Sequence, residues 1–282
     1  MKVSVSMYSL ASTIKQEGWS VADFIHYAKK ISLDGVELLD FYWKGEDPSS
    51  EIIEAKEALH DTGLVVSAYD VSNNFVKESE EERAAEVEKI LKGISVAKEF
   101  GTDIVRVFCG DLHGELTYED GQQWIIDGLK ACAPKAEAAG VTLAIENHGL
   151  FAGKSRQVED IIKNVDSPWV KSTFDTGNFL LVHEEPQLAF DRLKREIVHV
   201  HFKDFREKEE GDGPGFKSTQ GVELVGTVPG DGQVDLSYIV DGLKQEGYEG
   251  WLSIEYEGHD DAREANEEAV RRLRHLLVRE GA

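Results

Sequence analysis

The chain has 282 residues, 41% apolar and 30% charged, a composition that excludes a disordered chain and allows one large core without disulfide staples. Asp and Glu number 54 against 31 Lys and Arg, a net charge of −23, which disfavours nucleic acid because phosphate backbones need concentrated cationic surface. Two cysteines, Cys109 and Cys132, make neither a disulfide framework nor a Cys-based zinc site, and no run approaches the roughly 20 apolar residues of a membrane span. The N-terminal octapeptide carries no signal-peptide pattern, so the expectation is a cytoplasmic protein that engages no membrane.

Short β-rich runs then alternate with longer helical ones. A strand over 3–7 precedes Ser20, a helix N-cap, and a helix to Ile31. A second strand covers 35–39. Pro48 and Ser49 open a helix to His60, which Asp61-Thr62-Gly63 ends. A third strand covers 64–69, and the helix 80–100 carries Val87, Ile90, Leu91, Ile94 and Ala97 on one stripe, with Gly101 as its stop. The fourth strand covers 104–108, and the helix 119–139 ends at Gly140. A fifth strand, 141–145, precedes a short helix, 157–164. A sixth, 169–174, precedes another, 186–193. The seventh strand is 197–202. After a Gly-rich loop over 203–234 come a helix, 236–245, the eighth strand, 250–254, and a last helix from Ala262 to Arg279.

Eight βα units with no linker and no leftover segment predict a parallel sheet closed into a single-domain (β/α)8 TIM barrel over residues 1–282. An open doubly wound sheet would usually show a Gly-rich phosphate loop after its first strand, and Met7-Tyr8-Ser9-Leu10-Ala11 has none. The 203–234 segment is long enough to be a lid or binding loop.

In such barrels reactive groups sit at the C-terminal strand ends. The last four strands end in Glu146, Asp175, His201 and Glu255. Strand alternation supports this: Leu143 and Ile145 face the helices while Ala144 and Glu146 face inward. Val198, Val200 and Phe202 face outward while His199, His201 and Lys203 face inward, and Ser253 and Glu255 share the inner face of the eighth strand. The sixth strand is less clean, because Lys171 shares a face with Asp175. Three carboxylates converging on one mouth repel, and a divalent cation relieves that repulsion. Oxygen-rich ligation with one nitrogen suits Mn²⁺ first, with Mg²⁺, Co²⁺ and Zn²⁺ as alternatives. Each residue taken alone also reads as a strand-end polar group facing water.

These strand ends (Ile145-Glu146-Asn147-His148, Phe174-Asp175-Thr176-Gly177-Asn178, Val198 to Asp204, Ser253-Ile254-Glu255), with Gly35-Val36-Glu37-Leu38 and Val228-Pro229-Gly230-Asp231-Gly232, resemble the xylose isomerase-like superfamily of sugar isomerases and epimerases. That superfamily also includes dehydratases and endonuclease IV. The resemblance implies that Glu146, Asp175, His201 and Glu255 hold one metal ion and that Glu146 and Glu255 act as acid and base. The ketose epimerases usually carry a His three residues after the strand-six Asp, where this chain has Asn178, a group that hydrogen-bonds but cannot titrate.

The resulting expectation is a metal-dependent isomerase or epimerase of a sugar or sugar phosphate, acting by proton transfer next to a carbonyl. A lyase that dehydrates a cyclitol or eliminates from an oxidised glycoside uses the same residues. A non-catalytic sugar-binding barrel is a third reading. Endonuclease chemistry is disfavoured, because the extra His ligands and the basic face are missing. Substrate-binding candidates are His148, Asn178, Lys203, Arg206, Arg106 and Glu37, each with a structural alternative: loop cap, solvated Lys, surface ion pair or buried ion pair. His199 reads as a satisfied core His. Asp231 reads as a partner of His201 or a turn residue, and Tyr8, Tyr69 and Phe108 as walls or packing. The partner is a small sugar or polyol. Trp43 in its βα loop would roof the site or meet a second subunit of a homodimer or homotetramer.

Overall fold

The computed structural model describes residues 1–45, 47–111 and 114–278. Its strands and helices run β1 (Lys2–Ser6), α1 (Ala11–Glu17), α2 (Val21–Lys30), β2 (Gly35–Leu39), α3 (Ser49–Thr62), β3 (Val65–Val71), α4 (Glu80–Phe100), β4 (Ile104–Val107), α5 (Tyr118–Ala139), β5 (Thr142–Glu146), α6 (Ser155–Val165), β6 (Val170–Asp175), α7 (Pro186–Leu193), β7 (Ile197–Phe202), β8 (Asp204–Glu207), β9 (Phe216–Lys217), β10 (Glu223–Thr227), α8 (Leu236–Gln245), β11 (Trp251–Ile254) and α9 (Ala262–Val278). The last residue of the final predicted helix, Arg279, lies outside the described residues.

Eight strands close a parallel barrel in the order β1-β11-β7-β6-β5-β4-β3-β2, the predicted (β/α)8 architecture. Local chemistry sets the helix ends. The Ser20 hydroxyl accepts from the Asp23 backbone N–H, and Asp23 returns the bond to the Ser20 N–H. Gly63, Gly101 and Gly140 end α3, α4 and α5 in the left-handed conformation that glycine adopts without penalty. Apolar faces of strands and helices form one continuous shell between barrel and outer ring. Inside the lower barrel a thin layer of Ala68, Ile104 and Ala144 closes the floor.

Two expectations are corrected. The 203–234 segment is not a structureless loop: β8, β10 and β9 form an antiparallel sheet, with Leu224 opposite Glu207 and Phe216. Its inner side is a small apolar cluster of Leu181, Phe205 and Leu224, which the surrounding glycines and charges obscured in the sequence. Val198, expected to face outward, packs against the Ala68 layer. The cause is a register shift: Ser172 pairs with Ile197 but Thr173 with His199. Lys171, the residue that blurred the parity of the sixth strand, sits at the start of β6 in an ion pair with Glu196, far along the strand from Asp175. No helix among the described residues is long and apolar enough to cross a membrane.

Candidate metal and catalytic centre

The rim that carries the functional side chains is fastened by side chains that imitate a strand ladder. The Asn147 amide donates to the Asp175 carbonyl and accepts from the Asp175 N–H at 3.0 and 2.9 Å. Thr176 Oγ1 donates to the Lys203 carbonyl and accepts from its N–H at 2.5 and 2.9 Å. Ser9 joins Ile254 and Tyr256 in the same way, and Asn73 clasps Phe108 at both its N–H and its C=O. Each clasp extends pairing past the last backbone hydrogen bond, so the strand tips do not fray where the ligands sit.

His201 is central and fully buried. Its Nε2 lies 3.0 Å from Glu37 Oε1. Its Nδ1 points the other way, 3.4 Å from Glu255 Oε2, 3.5 Å from Glu146 Oε2 and 3.9 Å from Asp175 Oδ2. One ligand atom from each of these four residues lies within 4.8 Å of all the others. Asp175 is aimed by the backbone: its Oδ1 accepts from the N–H groups of Gly177 and Asn178, both at 2.8 Å. Its Oδ2 meets the Lys203 ammonium at 3.1 Å, and His201 Nδ1 is buried without a hydrogen-bond partner. A buried ring nitrogen is rarely left so, and a cation where it meets the three carboxylates would satisfy it. The donor set fits an oxygen-preferring divalent ion, so these residues form a candidate metal site.

Electrostatics agree with that reading. Burial raises the Asp175 carboxyl to about 7; Lys203 opposes the shift, and Glu146 and Glu255 add to it. Burial disfavours charge on His201, yet Glu37, Glu255 and Glu146 outweigh it and hold the imidazole well above its usual range. Burial also opposes charge on Glu255, but Lys203 and His201 hold it well below the usual carboxylate range. Deeper in the barrel, burial drives Asp70 well above its ordinary value against the pull of Arg106.

A cavity of about 200 Å³ opens over this cluster, lined by Tyr8, Leu39, Phe41, Arg106, Phe108, Glu146, His148, Lys203, Glu255 and Glu257. It is smaller than the ~300–1,000 Å³ of drug-sized sites and suits a single small ring or chain. Of the substrate-binding candidates, Arg106, His148 and Lys203 line it. Arg106 bonds Asp70 Oδ2 at 3.0 Å, lies 3.2 Å from Glu146 Oε2 and stacks over Phe108, whose other contact is the His148 ring. Lys203 Nζ lies 2.5 Å from Glu255 Oε2 and 3.1 Å from Asp175 Oδ2. The structure puts the other three elsewhere. Asn178 donates to Glu146 Oε1 at 3.2 Å and so holds a ligand. Glu37 lies below His201, bonded to it and to His199. Arg206 forms a bidentate pair with Asp212 on the antiparallel sheet.

His199 is a core residue but not the satisfied one expected: its Nε2 bonds Glu37, while its buried Nδ1 has no hydrogen-bond partner. Asp231 is a turn residue paired with Arg272, and the carboxylate that organises its loop is Asp204. Asp204 accepts from the N–H groups of Phe205, Gly230, Gly232 and Val234. A Cβ at Gly232 would meet Asp204 Oδ1 at 2.2 Å, so that position requires glycine. Trp43 donates to the Tyr69 hydroxyl at 2.9 Å and stacks on Phe100, while Phe41, half exposed, stands at the cavity mouth. Sequence reasoning missed Asp70 and Glu257. Both follow an inward-facing position by two residues (Ala68, Glu255), a parity signal that would have found them.

A closed parallel barrel with three carboxylates and one imidazole gathered at its C-terminal mouth defines the class. Residues 25–276 match the model of the xylose isomerase-like TIM barrel family, and the chain belongs to that family. It is similar to an inosose dehydratase of Lacticaseibacillus casei, 29% identical over 143 residues, 49% of this chain and 48% of that protein. A second similar protein is an inosose dehydratase of Lactiplantibacillus plantarum, 26% identical over 230 residues, 79% and 76% of the two chains. The matched stretch thus spans about half the length of the Lacticaseibacillus relative. In fold it is similar to a 3-keto-D-glucoside 4-epimerase from E. coli, with a TM-score of 0.75, 16% identity and 98% and 99% of the chains covered. It is equally similar in fold to a probable 3-DHS dehydratase from Bacillus anthracis, with a TM-score of 0.76, 18% identity and 97% and 99% covered.

Proposed function

We propose that this protein is a divalent-metal-dependent enzyme that removes and returns a proton next to the carbonyl of a small polyhydroxy ketone or aldose, as a sugar isomerase or epimerase. The observation that carries this reading is the convergence of Glu146, Asp175, His201 and Glu255, with His201 Nδ1 left without a hydrogen-bond partner. Mn²⁺ is the cation we assign, held by these four residues. When bound it supplies Lewis acidity that stabilises negative charge developing on the substrate oxygens.

The chain's own residues supply the rest. Glu146 and Glu255 come from β5 and from the end of β11, which are separated in the barrel by β6 and β7. They therefore reach the cavity from different sides, as base and acid on the two faces of a bound sugar would. Asn178 and Arg106 hold Glu146 in place. Lys203 balances the charge of Glu255 and stands where it can donate to a substrate oxygen. Tyr8, Leu39, Phe41 and Phe108 wall the cavity against water.

A second reading is dehydration, favoured by the names of the sequence relatives, which are dehydratases, and by Asn178 standing where the ketose epimerases carry His. Elimination begins with the same proton removal and then expels a hydroxyl from the neighbouring carbon. One experiment separates them. The Mn²⁺-loaded protein is incubated with ketoses, aldoses and keto-cyclitols in D₂O and followed by NMR. Deuterium next to the carbonyl with a new isomer supports the isomerase or epimerase. Loss of water moves the reading to the lyase. No exchange in any compound by the loaded protein overturns both.

A further inference from the structure

Among the described residues, each Arg and Lys that lines the cavity is already engaged by carboxylates of the protein. Arg106 is held by Asp70 and Glu146. Lys203 Nζ is shared by Asp175, Glu255 and Glu257, the last at 3.3 Å. Both cations are almost completely buried, so neither can swing out to meet a ligand. His148 lies beside Asp111 and stacks on Phe108. Arg206, the sequence candidate for an anionic group, is bound to Asp212 outside the cavity lining.

Glu257 completes the pattern. It lines the cavity with Tyr8 and lies 3.3 Å from Lys203 Nζ, the same ammonium that Asp175 and Glu255 hold. Six carboxylates (Glu37, Asp70, Glu146, Asp175, Glu255, Glu257) crowd around two side-chain cations (Arg106, Lys203) and two imidazoles (His199, His201), so acidic groups outnumber the groups that could offset them. The chain as a whole carries −23, so the long-range field also repels anions. A phosphate or carboxylate on a substrate normally meets a free Arg or Lys or an unpaired run of backbone N–H groups, and among the described residues the cavity lining offers no Arg or Lys without a carboxylate partner.

We propose that the cavity takes an uncharged polyhydroxy carbonyl compound and excludes phosphorylated and carboxylated ones, with Glu257 as the residue that sets the exclusion. This rests on the enolate-forming reading above and narrows its substrate class. Specificity of this kind comes from a repulsive element as much as from attractive contacts.

The test uses matched pairs, such as D-fructose with D-fructose 6-phosphate and a keto-cyclitol with its phosphate ester, presented to the Mn²⁺-loaded full chain. Deuterium uptake reports turnover, and broadening of the ligand NMR signals reports binding without turnover. The expected result is uptake and broadening with neutral members, and at least a hundredfold weaker response with the charged partners. The Glu257→Gln variant should raise the charged-to-neutral ratio at least tenfold and lower the concentration at which inorganic phosphate inhibits. Charged partners accepted as well as neutral ones by the parent protein would overturn the exclusion while leaving the enolate reading intact. An unchanged ratio in Glu257→Gln would overturn the role of Glu257. Uptake by no compound of either kind would overturn the enolate reading itself, and the inference with it.

Discussion

Glu37 Oε1 lies 3.0 Å from His201 Nε2, and that contact decides which nitrogen of His201 faces the three carboxylates. The carboxylate pins the ring and raises its basicity, and a second contact to His199 at 2.9 Å pins Glu37 in turn. Glu37→Gln should keep the barrel folded and weaken Mn²⁺ binding by about 10–100-fold, the usual effect of losing such a partner. Calorimetric titration of Mn²⁺ into metal-free protein measures it, and unchanged affinity would refute the positioning role.

Glu146→Gln and Glu255→Gln should each lower turnover by roughly 10²–10⁴-fold, the contribution of a general acid or base, while circular dichroism stays that of the parent. Full activity in either variant would remove that residue from proton transfer. Both are also candidate ligands, so metal content is to be measured on each variant alongside the rate.

Stripping the metal with EDTA should lower the melting temperature. A ligand present at 100 times its dissociation constant stabilises by about 2.7 kcal/mol, which for a chain of this size is on the order of 5 °C or more. Restoring Mn²⁺ should restore the temperature. A melting curve indifferent to EDTA, in protein confirmed to lose no metal, would count against the site.

Metal affinity should rise with pH through about 7. The Asp175 carboxyl is pushed up to about 7 by burial, so below that pH a cation must displace its proton. The sign for stability follows from the same shift. An unfolded Asp titrates near ~3.9, so the folded metal-free protein holds a proton there that the unfolded chain has lost. The Asp175 contribution to metal-free stability is therefore greatest at low pH and declines as pH rises towards about 7. Loaded protein has no such proton to lose. The gap in melting temperature between loaded and metal-free protein should widen from pH 5 to 8, and a gap that narrows would contradict this.

Thr176→Val keeps the side-chain shape but removes the clasp between β6 and β7. It leaves the buried Lys203 N–H and C=O each short of a partner, at a cost of ~1–3 kcal/mol for such a group. Thermal denaturation reads the stability loss. Because Lys203 sits directly on that clasp, activity should fall further than the stability loss accounts for. A drop in melting temperature with unaltered kinetics would separate rim stability from placement of Lys203.

The chain order of the barrel and its four ligands were legible in the sequence because both depend on short-range periodicity. A parallel barrel repeats one βα unit, and a strand's alternation says which residues point inward. Glu146, Asp175, His201 and Glu255 end four successive barrel strands, so closing the barrel alone brings them together. The antiparallel sheet within 203–234 was hidden because its short strands are separated by glycine and charged residues and its apolar partner, Leu181, comes from the segment after β6.

By itself, then, the sequence determined the architecture, the inward faces and the identity of the converging side chains. Only the tertiary structure decided how those side chains divide the work. Arg106 and Lys203 are both cations at or near strand ends, and nothing local distinguishes them. Folding brings Asp70 from β3 to Arg106 and Glu257 from beyond β11 to Lys203, whereas Arg206 takes its partner Asp212 from six residues further along the chain. A buried charge is set by whichever opposite charge lies within a few ångströms, and that neighbour comes from a distant part of the chain.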